Sequence, residues 1–147
     1  MKRILFVVLL AASLSAHAGT GLVTVDSKHD VKTTADKLVA KLKEKGMTVF
    51  IRVDHTAGAK GVGIKMRPTT VVIFGNPKLG SLLMNCAQTT GIDLPMKALI
   101  FETAKGKVKL SYNKPSYLRE RHHIKGCEKP LTKITGALAK FAKAATE

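Results

Sequence analysis

The stretch Arg67-Pro-Thr-Thr-Val-Val-Ile-Phe-Gly-Asn-Pro77-Lys-Leu-Gly-Ser-Leu-Leu-Met84 decides the fold, because a strand, a corner and a helix follow one another in it. Thr69 to Phe74 is a continuous run of β-branched and aromatic residues, which is typical of a strand buried within a sheet. Asn76 can cap a helix, and Pro77 suits its first turn. The stretch therefore predicts an interior strand that leads directly into a helix ending near Gln88.

Apolar residues recur with helix or strand spacing along the rest of the chain. Val31, Ala35, Leu38 and Leu42 form one helical stripe behind the capping residue Asp30. The other predicted elements are a strand from Leu22 to Val25, a strand from Met47 to Asp54 with alternating buried residues, a loop or ragged helical turn from Thr56 to Gly63, a hairpin of Lys97 to Thr103 and Lys107 to Tyr112, a short helix capped by Asn113, and a last helix from Lys129 to Ala145. Helices collected on one face of a mostly antiparallel sheet make an α+β two-layer sandwich.

An asparagine at the end of a strand, followed closely by proline, occurs in Asn76-Pro77 and again in Asn113-Lys114-Pro115. With Asp54-His55 and Arg121-His122, this pattern resembles the domain of unknown function 302 family over nearly the whole chain after residue 18. The resemblance implies a TATA-binding-protein-like β-α-β4-α arrangement, with an inserted helix after the third strand. It implies no established chemistry, and a shared fold does not imply DNA binding.

The first 18 residues have the features of a signal peptide. Lys2 and Arg3 precede an apolar run from Ile4 to Leu14, and Ala16-His17-Ala18 is a small-x-small cleavage site. The run is too short for the ~20 residues of a spanning helix. We therefore expect one periplasmic or secreted domain, residues 19–147, with no transmembrane segment after cleavage.

The composition is strongly basic. The chain has 25 Lys and Arg against 10 Asp and Glu; removal of Lys2 and Arg3 leaves 23 basic residues and a net charge of +13. Scattered lysines indicate either a solvated surface or attraction to an anionic envelope surface or an acidic partner. Nucleic acid is not expected, since there is no binding motif and no aromatic interleaving.

Two cysteines, Cys86 and Cys127, follow the predicted signal peptide. An even count in an oxidising compartment favours a disulfide between them, and two free buried thiols are the alternative. Their spacing excludes a CxxC redox pair.

The polar residues shared with the family pattern lie at predicted strand ends or helix starts. His55, Arg67, Asn76 and Asn113 are the candidate ligand-binding residues. If these ends meet, the helix N-termini and the arginine could hold a small anionic ligand in a pocket walled by Phe74 and Tyr112. The alternative is that both asparagines only cap helices, while Asp54 and Arg67 form a structural pair.

Other chemistry has little support in the sequence. No histidine pair has helical metal spacing, His122-His123 is typical of a solvated basic loop, and the methionines fit a core better than a copper site. No catalytic motif is present, so we predict no metal and no cofactor and do not expect an enzyme. The function predicted is a homodimeric binding module; the alternatives are a cysteine-dependent enzyme or thiol-redox protein using Cys86, and a structural envelope protein that adheres to anionic surfaces.

Overall fold

The computed structural model describes residues 21–147, which form one five-stranded antiparallel sheet with helices packed on it. The predicted signal peptide, residues 1–18, lies outside the described residues. The elements are β1 (Leu22–Asp26), α1 (Val31–Glu44), β2 (Thr48–Asp54), α2 (His55–Gly61), β3 (Thr69–Gly75), α3 (Pro77–Cys86), a 3-10 helix (Gln88–Ile92), β4 (Met96–Glu102), β5 (Val108–Asn113), α4 (Pro115–Arg121) and α5 (Glu128–Thr146). The strand order is β1-β5-β4-β3-β2, which confirms the α+β sandwich and the inserted helix after the third strand.

The core lies between the sheet and the helices α1 and α5. Alternate residues of β3 point into it, and Val72 and Phe74 are almost completely buried. The apolar stripe of α1 packs there, as does the stripe of α5 that includes Leu138 and Phe141. Both stripes have the spacing predicted from the sequence, because one face of an α-helix repeats every three to four residues. Among the described helices, none is long and apolar enough to cross a bilayer.

A bulge in β2 changes which of its residues face the helices. Val49 lies opposite Phe74 on the helix-covered face, but the register shifts before Ile51, which lies opposite Ile73 on the other face. Ile51 is consequently 52% exposed. The predicted uninterrupted alternation from Met47 to Asp54 is therefore wrong, because an extra residue in one strand reverses the side-chain direction beyond it.

Side-chain caps start three of the helices. The carboxylate of Asp30 accepts a hydrogen bond from the Thr33 amide of α1, as predicted. Asp54 accepts from the Ala57 amide at 3.0 Å, so the segment predicted as a loop or ragged turn begins with the regular helix α2. Asn76 caps α3, again as predicted. Asn113 does not cap α4: it is the last residue of β5, and Lys114 occupies the cap position without a side-chain bond.

The sheet face opposite α1 and α5 carries an apolar area. Cross-strand partners point to the same side, so Val53, Val71 and Leu99 form one row across β2, β3 and β4. Ile51, Ile73 and Phe101 extend this area; all but the exposed Ile51 are half-buried. We call these six residues the open-face patch. Its half-buried members keep contact with water in the single chain.

Candidate functional site

A cavity of about 300 Å³ lies at the end of the sheet where β2 begins, β3 ends and β4 begins. The helices α3 and α5 form its side walls, and the segment between the 3-10 helix and β4 closes one end. Most of its lining side chains are apolar: Met47, Phe50, Phe74, Leu79, Met84, Leu94, Pro95, Met96, Ile134, Ala137, Leu138 and Phe141. Asn76 and Ser81 are its polar lining residues. A concave apolar surface with few polar groups is the usual form of a small-molecule site.

The corner of Gly75, Asn76 and Pro77 sets the distance between the sheet and α3. Asn76 Oδ1 accepts the Leu79 amide at 3.2 Å, and the proline occupies the first helical turn. A Cβ on Gly75 would lie 3.4 Å from the Phe50 ring and 3.5 Å from Pro95. These are ordinary van der Waals distances, so Gly75 brings the backbone of the corner into the packing between Phe50 and Pro95 at the edge of the cavity.

The wall formed by α5 contacts the sheet through aromatic packing. The rings of Phe74 and Phe141 meet edge to face, with centroids 6.3 Å apart and planes at 89°. This arrangement is favourable for two aromatic rings because the positive edge of one meets the negative face of the other. It fixes one end of α5 above the last residues of β3.

A disulfide joins the two helical walls. Cys86 is the last residue of α3, Cys127 directly precedes α5, and their Cα atoms lie 6.4 Å apart. The structure thus contains the disulfide predicted from the sequence. Cys86 is exposed, whereas Cys127 is 4% exposed. With both sulfurs bonded to each other, neither is available as a thiolate nucleophile.

A polar cluster around the buried His122 side chain holds the segment that closes the cavity. His122 Nε2 lies 2.6 Å from Asp93 Oδ2, and its Nδ1 lies 3.0 Å from Thr89 Oγ1. The His122 side chain is 5% exposed, so its prediction as a solvated residue was wrong. Arg121 adds a contact to Asp93 at 3.4 Å and donates to the Tyr117 hydroxyl at 2.7 Å. That hydrogen bond, together with the nearby carboxylate, raises the pKa of Arg121.

The four candidate residues do not surround a common cavity. Asn76 lines the cavity, while His55 and Arg67 lie at the opposite end of the sheet, beside the start of β3. The seven residues of β3 separate the two ends by roughly 23 Å at 3.3 Å per residue. Asn113 ends β5, two strands away from β3. The predicted shared pocket is therefore wrong. His55 and Asn76 follow antiparallel neighbours, whose ends lie at opposite edges of the sheet. Arg67 precedes the strand that Asn76 follows, and Asn113 is separated from Asn76 by the intervening strand β4.

The structure also differs from the sequence prediction in the partners of Arg67 and in the position of Tyr112. Arg67 Nε donates to the Glu102 carbonyl at 3.1 Å, and among residues 21–147 it forms no ion pair with Asp54. Tyr112, predicted as a wall beside Phe74, lines a different groove between β1 and α5. Its burial raises the pKa of its hydroxyl. Ligand binding by His55, Arg67 or Asn113 individually stays a prediction.

The described part of the chain contains no cluster of side chains that could ligate a metal. Across residues 21–147, no three His, Cys, Asp or Glu side chains converge in the way a metal site requires. The three methionines at the cavity, Met47, Met84 and Met96, lie among apolar neighbours, which is the usual setting of methionine as a core filler.

The fold and the cavity define an α+β sandwich with a small apolar site at one end of its sheet. Residues 23–141 match the model of the family described as "Domain of unknown function DUF302". The chain belongs to this family. It also resembles the crystal structure of an uncharacterized conserved DUF302 protein from Bacillus stearothermophilus, with a TM-score of 0.77 and 21% identity over 86% of this chain and 99% of that one. At this identity the likeness establishes the fold alone.

Three curated relatives from Brucella carry the name of an ion channel. The chain is 45% identical over 127 residues to "Fluoride-specific ion channel FluC 1" of Brucella suis biovar 1 (strain 1330). The same identity holds for the protein of that name in Brucella abortus biovar 1 (strain 9-941). The matches cover 84% of this chain but 50% and 47% of those proteins. The chain thus spans about half the length of the curated relatives it matches.

Proposed function

We propose that this protein is a periplasmic binding module that holds a small anionic amphiphile in the cavity between α3 and α5. The observation that carries the proposal is the apolar cavity of about 300 Å³ with the capped start of α3 at its edge. This volume lies at the lower end of the range for small-molecule sites, roughly 300–1,000 Å³. The ligand class therefore differs from a fully polar anion, because its body must fill an apolar space.

The anionic end of the ligand is placed at the start of α3. A helix N-terminus carries a partial positive charge that favours an anion. Pro77 has no amide hydrogen, and the Leu79 amide donates to Asn76. The Lys78 amide is therefore the first-turn donor that faces a ligand here. Asn76 both caps this terminus and lines the cavity, so a carboxylate at the cavity edge would lie beside it. Lys78, exposed in the first turn of α3, adds a positive charge there. The apolar body of the ligand would extend between Met84, Leu138 and their neighbours.

The alternatives have less support at this site. A cysteine-dependent enzyme needs a thiolate, and the sulfur of Cys86 is bonded to that of Cys127. The Brucella proteins named as channels are about twice as long as the region that matches this chain, so their name alone does not indicate a channel function for it. Fluoride is not proposed as the cavity ligand, because a small ion loses its hydration at a cost that apolar walls do not repay.

Calorimetry with three probes tests the proposal. Decanoate should bind, decanol should bind more weakly for lack of the charge, and acetate should not bind measurably because it lacks the apolar body. Ala137→Phe fills space at the cavity wall and should weaken decanoate binding by at least about 10-fold, or ~1.4 kcal/mol. Ala40→Phe, on the exposed side of α1, is the matched control and should bind as the parent does.

Two outcomes would contradict this function. Equal binding of acetate and decanoate would show that the apolar cavity takes no part. Unchanged decanoate binding in a folded Ala137→Phe variant would place the ligand elsewhere. The periplasmic location is tested separately by the intact mass of the exported protein, which should begin at Gly19.

A further inference from the structure

We propose that α5 docks the protein on an anionic lipid bilayer through a row of lysines beside the cavity. The row consists of Lys129, Lys133 and Lys140, all exposed. Residues at i, i+4 and i+11 lie along one side of an α-helix. The row therefore extends over about 16 Å of helix, at 1.5 Å per residue. We call it the lysine row.

The charges of the lysine row are not neutralised by neighbouring carboxylates. Within residues 21–147, no Asp or Glu lies in ion-pair contact with any of the three. The outer face of α1 is different: Lys32 pairs with Asp36 at 2.8 Å, and Lys41 pairs with Glu44 at 2.8 Å. Neighbouring carboxylates therefore pair with part of the positive charge on α1, whereas the three lysines of the row on α5 have no such partner among the described residues. Like charges four residues apart repel each other, and an anionic surface would relieve that repulsion.

The lysine row borders the cavity. Ala137, which lines the cavity, lies four residues after Lys133 and three before Lys140. It therefore occupies the same side of α5 as both lysines. A molecule bound at the lysine row would lie next to the wall that α5 contributes to the cavity.

Exposed apolar side chains accompany this charge. Phe50 lines the cavity and is 53% exposed, and Ile92, next to the cavity-lining Gly91, is 74% exposed. A bilayer interface of anionic lipid offers phosphates to lysines and acyl chains to apolar side chains at the same surface. An acidic soluble partner would account for the lysines alone. Lysines and exposed apolar side chains at one surface therefore favour lipid as the partner. If the cavity holds the proposed ligand, docking there would let an amphiphile pass between the bilayer and the cavity.

Co-sedimentation with vesicles tests the docking. The protein should bind vesicles of phosphatidylglycerol and phosphatidylcholine in equal parts, and not vesicles of phosphatidylcholine alone. Each lysine near an anionic surface contributes roughly a 5-fold gain in affinity, so replacing Lys129, Lys133 and Lys140 by Gln should weaken binding on the order of 100-fold. The matched control replaces Lys32, Lys43 and Lys45 of the α1 segment by Gln. It removes the same charge and should lose less than about 10-fold.

A second pair of variants tests the apolar contribution. Ile92→Ser should weaken vesicle binding by about 10-fold, the scale of one buried aliphatic side chain. Val62→Ser is its control, since Val62 is 72% exposed at the other end of the sheet, and it should bind as the parent does. Equal losses in the two lysine variants would show that net charge alone governs vesicle binding. Equal affinities of the two Ser variants would show that the surface around Ile92 does not contact the lipid. Either result overturns the proposal.

Vesicle binding requires no cavity ligand. If the parent protein binds anionic vesicles but not decanoate, the proposed function alone is overturned. Decanoate binding by a protein that does not bind anionic vesicles would overturn the docking alone.

Discussion

Asn76 and Asn113 occupy similar sequence motifs but should differ in their effect on stability. Asn76→Ala removes the hydrogen bond to the Leu79 amide and should lower the free energy of unfolding by about 1 kcal/mol, the usual value of an N-cap. Asn113 caps no helix, so Asn113→Ala should change it by less than about 0.5 kcal/mol. Urea denaturation of both variants measures the difference. Equal losses would mean that the side chain of Asn113 makes a stabilising contact of its own.

The proline position explains why the two asparagines differ, and this signal is present in the sequence. Proline is favoured at the first helical position, so the residue before it becomes the cap. Pro77 follows Asn76 directly, whereas Lys114 stands between Asn113 and Pro115. The motif therefore assigns the cap to Lys114, as the structure does. Spacing to the proline is a better guide here than the presence of asparagine.

The buried state of His122 could not be derived in this way. Its two partners, Thr89 and Asp93, are 33 and 29 residues away in sequence. No local pattern relates residues at such distances, and the basic residues around His122 are typical of an exposed loop. Only the packing of α4 against the 3-10 helix segment brings the three side chains together.

At the scale of elements, the disulfide between α3 and the start of α5 should contribute strongly to stability. It closes a loop of 41 residues, and the loss of chain entropy in the unfolded state predicts a contribution of about 3–4 kcal/mol. The variant with both Cys86 and Cys127 replaced by Ser should lose this amount in urea denaturation. Reduced parent protein should unfold at the same urea concentration as the variant. A loss below about 1 kcal/mol would mean that the reduced chain keeps the two ends together without the bond.

Helices with long apolar stripes were predictable, and short or irregular elements were less so. The stripes of α1 and α5 extend over several turns, and both helices lie close to their predicted bounds. The helix α2 has few apolar residues, and from the sequence its cap, Asp54, is considered only as a structural partner of Arg67. The bulge at Phe50 leaves no mark in the alternating sequence of β2, because the apolar residues on both sides of it fit either face.

At the scale of the whole molecule, one of the four candidate residues lies at the cavity. Asn76 was found because strand-to-helix corners can be recognised from sequence. The error was to assume that all such corners meet, which holds at one edge of a parallel sheet. In this antiparallel sheet β2 runs opposite to β3, so His55 at the end of β2 lies at the other edge from Asn76. Arg67 lies at that edge too, because it precedes the strand that Asn76 follows. The antiparallel sheet and the position of Arg67 before this strand were both predicted from the sequence, so the separation of these two residues from Asn76 could have been recognised. The two-strand distance from Asn76 to Asn113 depends on the strand order, which the sequence did not specify.

The open-face patch predicts the oligomeric state. We expect two copies to bury this patch against each other, since extended apolar surface on a single chain usually marks a contact. The alternation of the strand residues predicts a bare sheet face, and the residues it assigns to that face are Thr48, Phe50, Val72, Leu99 and Phe101. In the structure Val72 is fully buried toward the helices, and Phe50 lines the cavity. Leu99 and Phe101 belong to the patch, and Leu99 lies on β4 beside Val71, with the polar Ser111 on its other side.

Leu99→Lys should therefore dissociate the dimer while leaving the chain folded. Burying an unpaired charge within a contact costs several kcal/mol, which should weaken association by at least about 100-fold. In the single chain the half-buried position lets the ammonium group reach water. Thr33→Lys, exposed on α1, adds the same charge away from the sheet and should remain dimeric. Light scattering over a range of micromolar concentrations distinguishes these states; a monomeric parent protein, or a dimeric Leu99→Lys variant, would show that the open-face patch is not the contact between two copies.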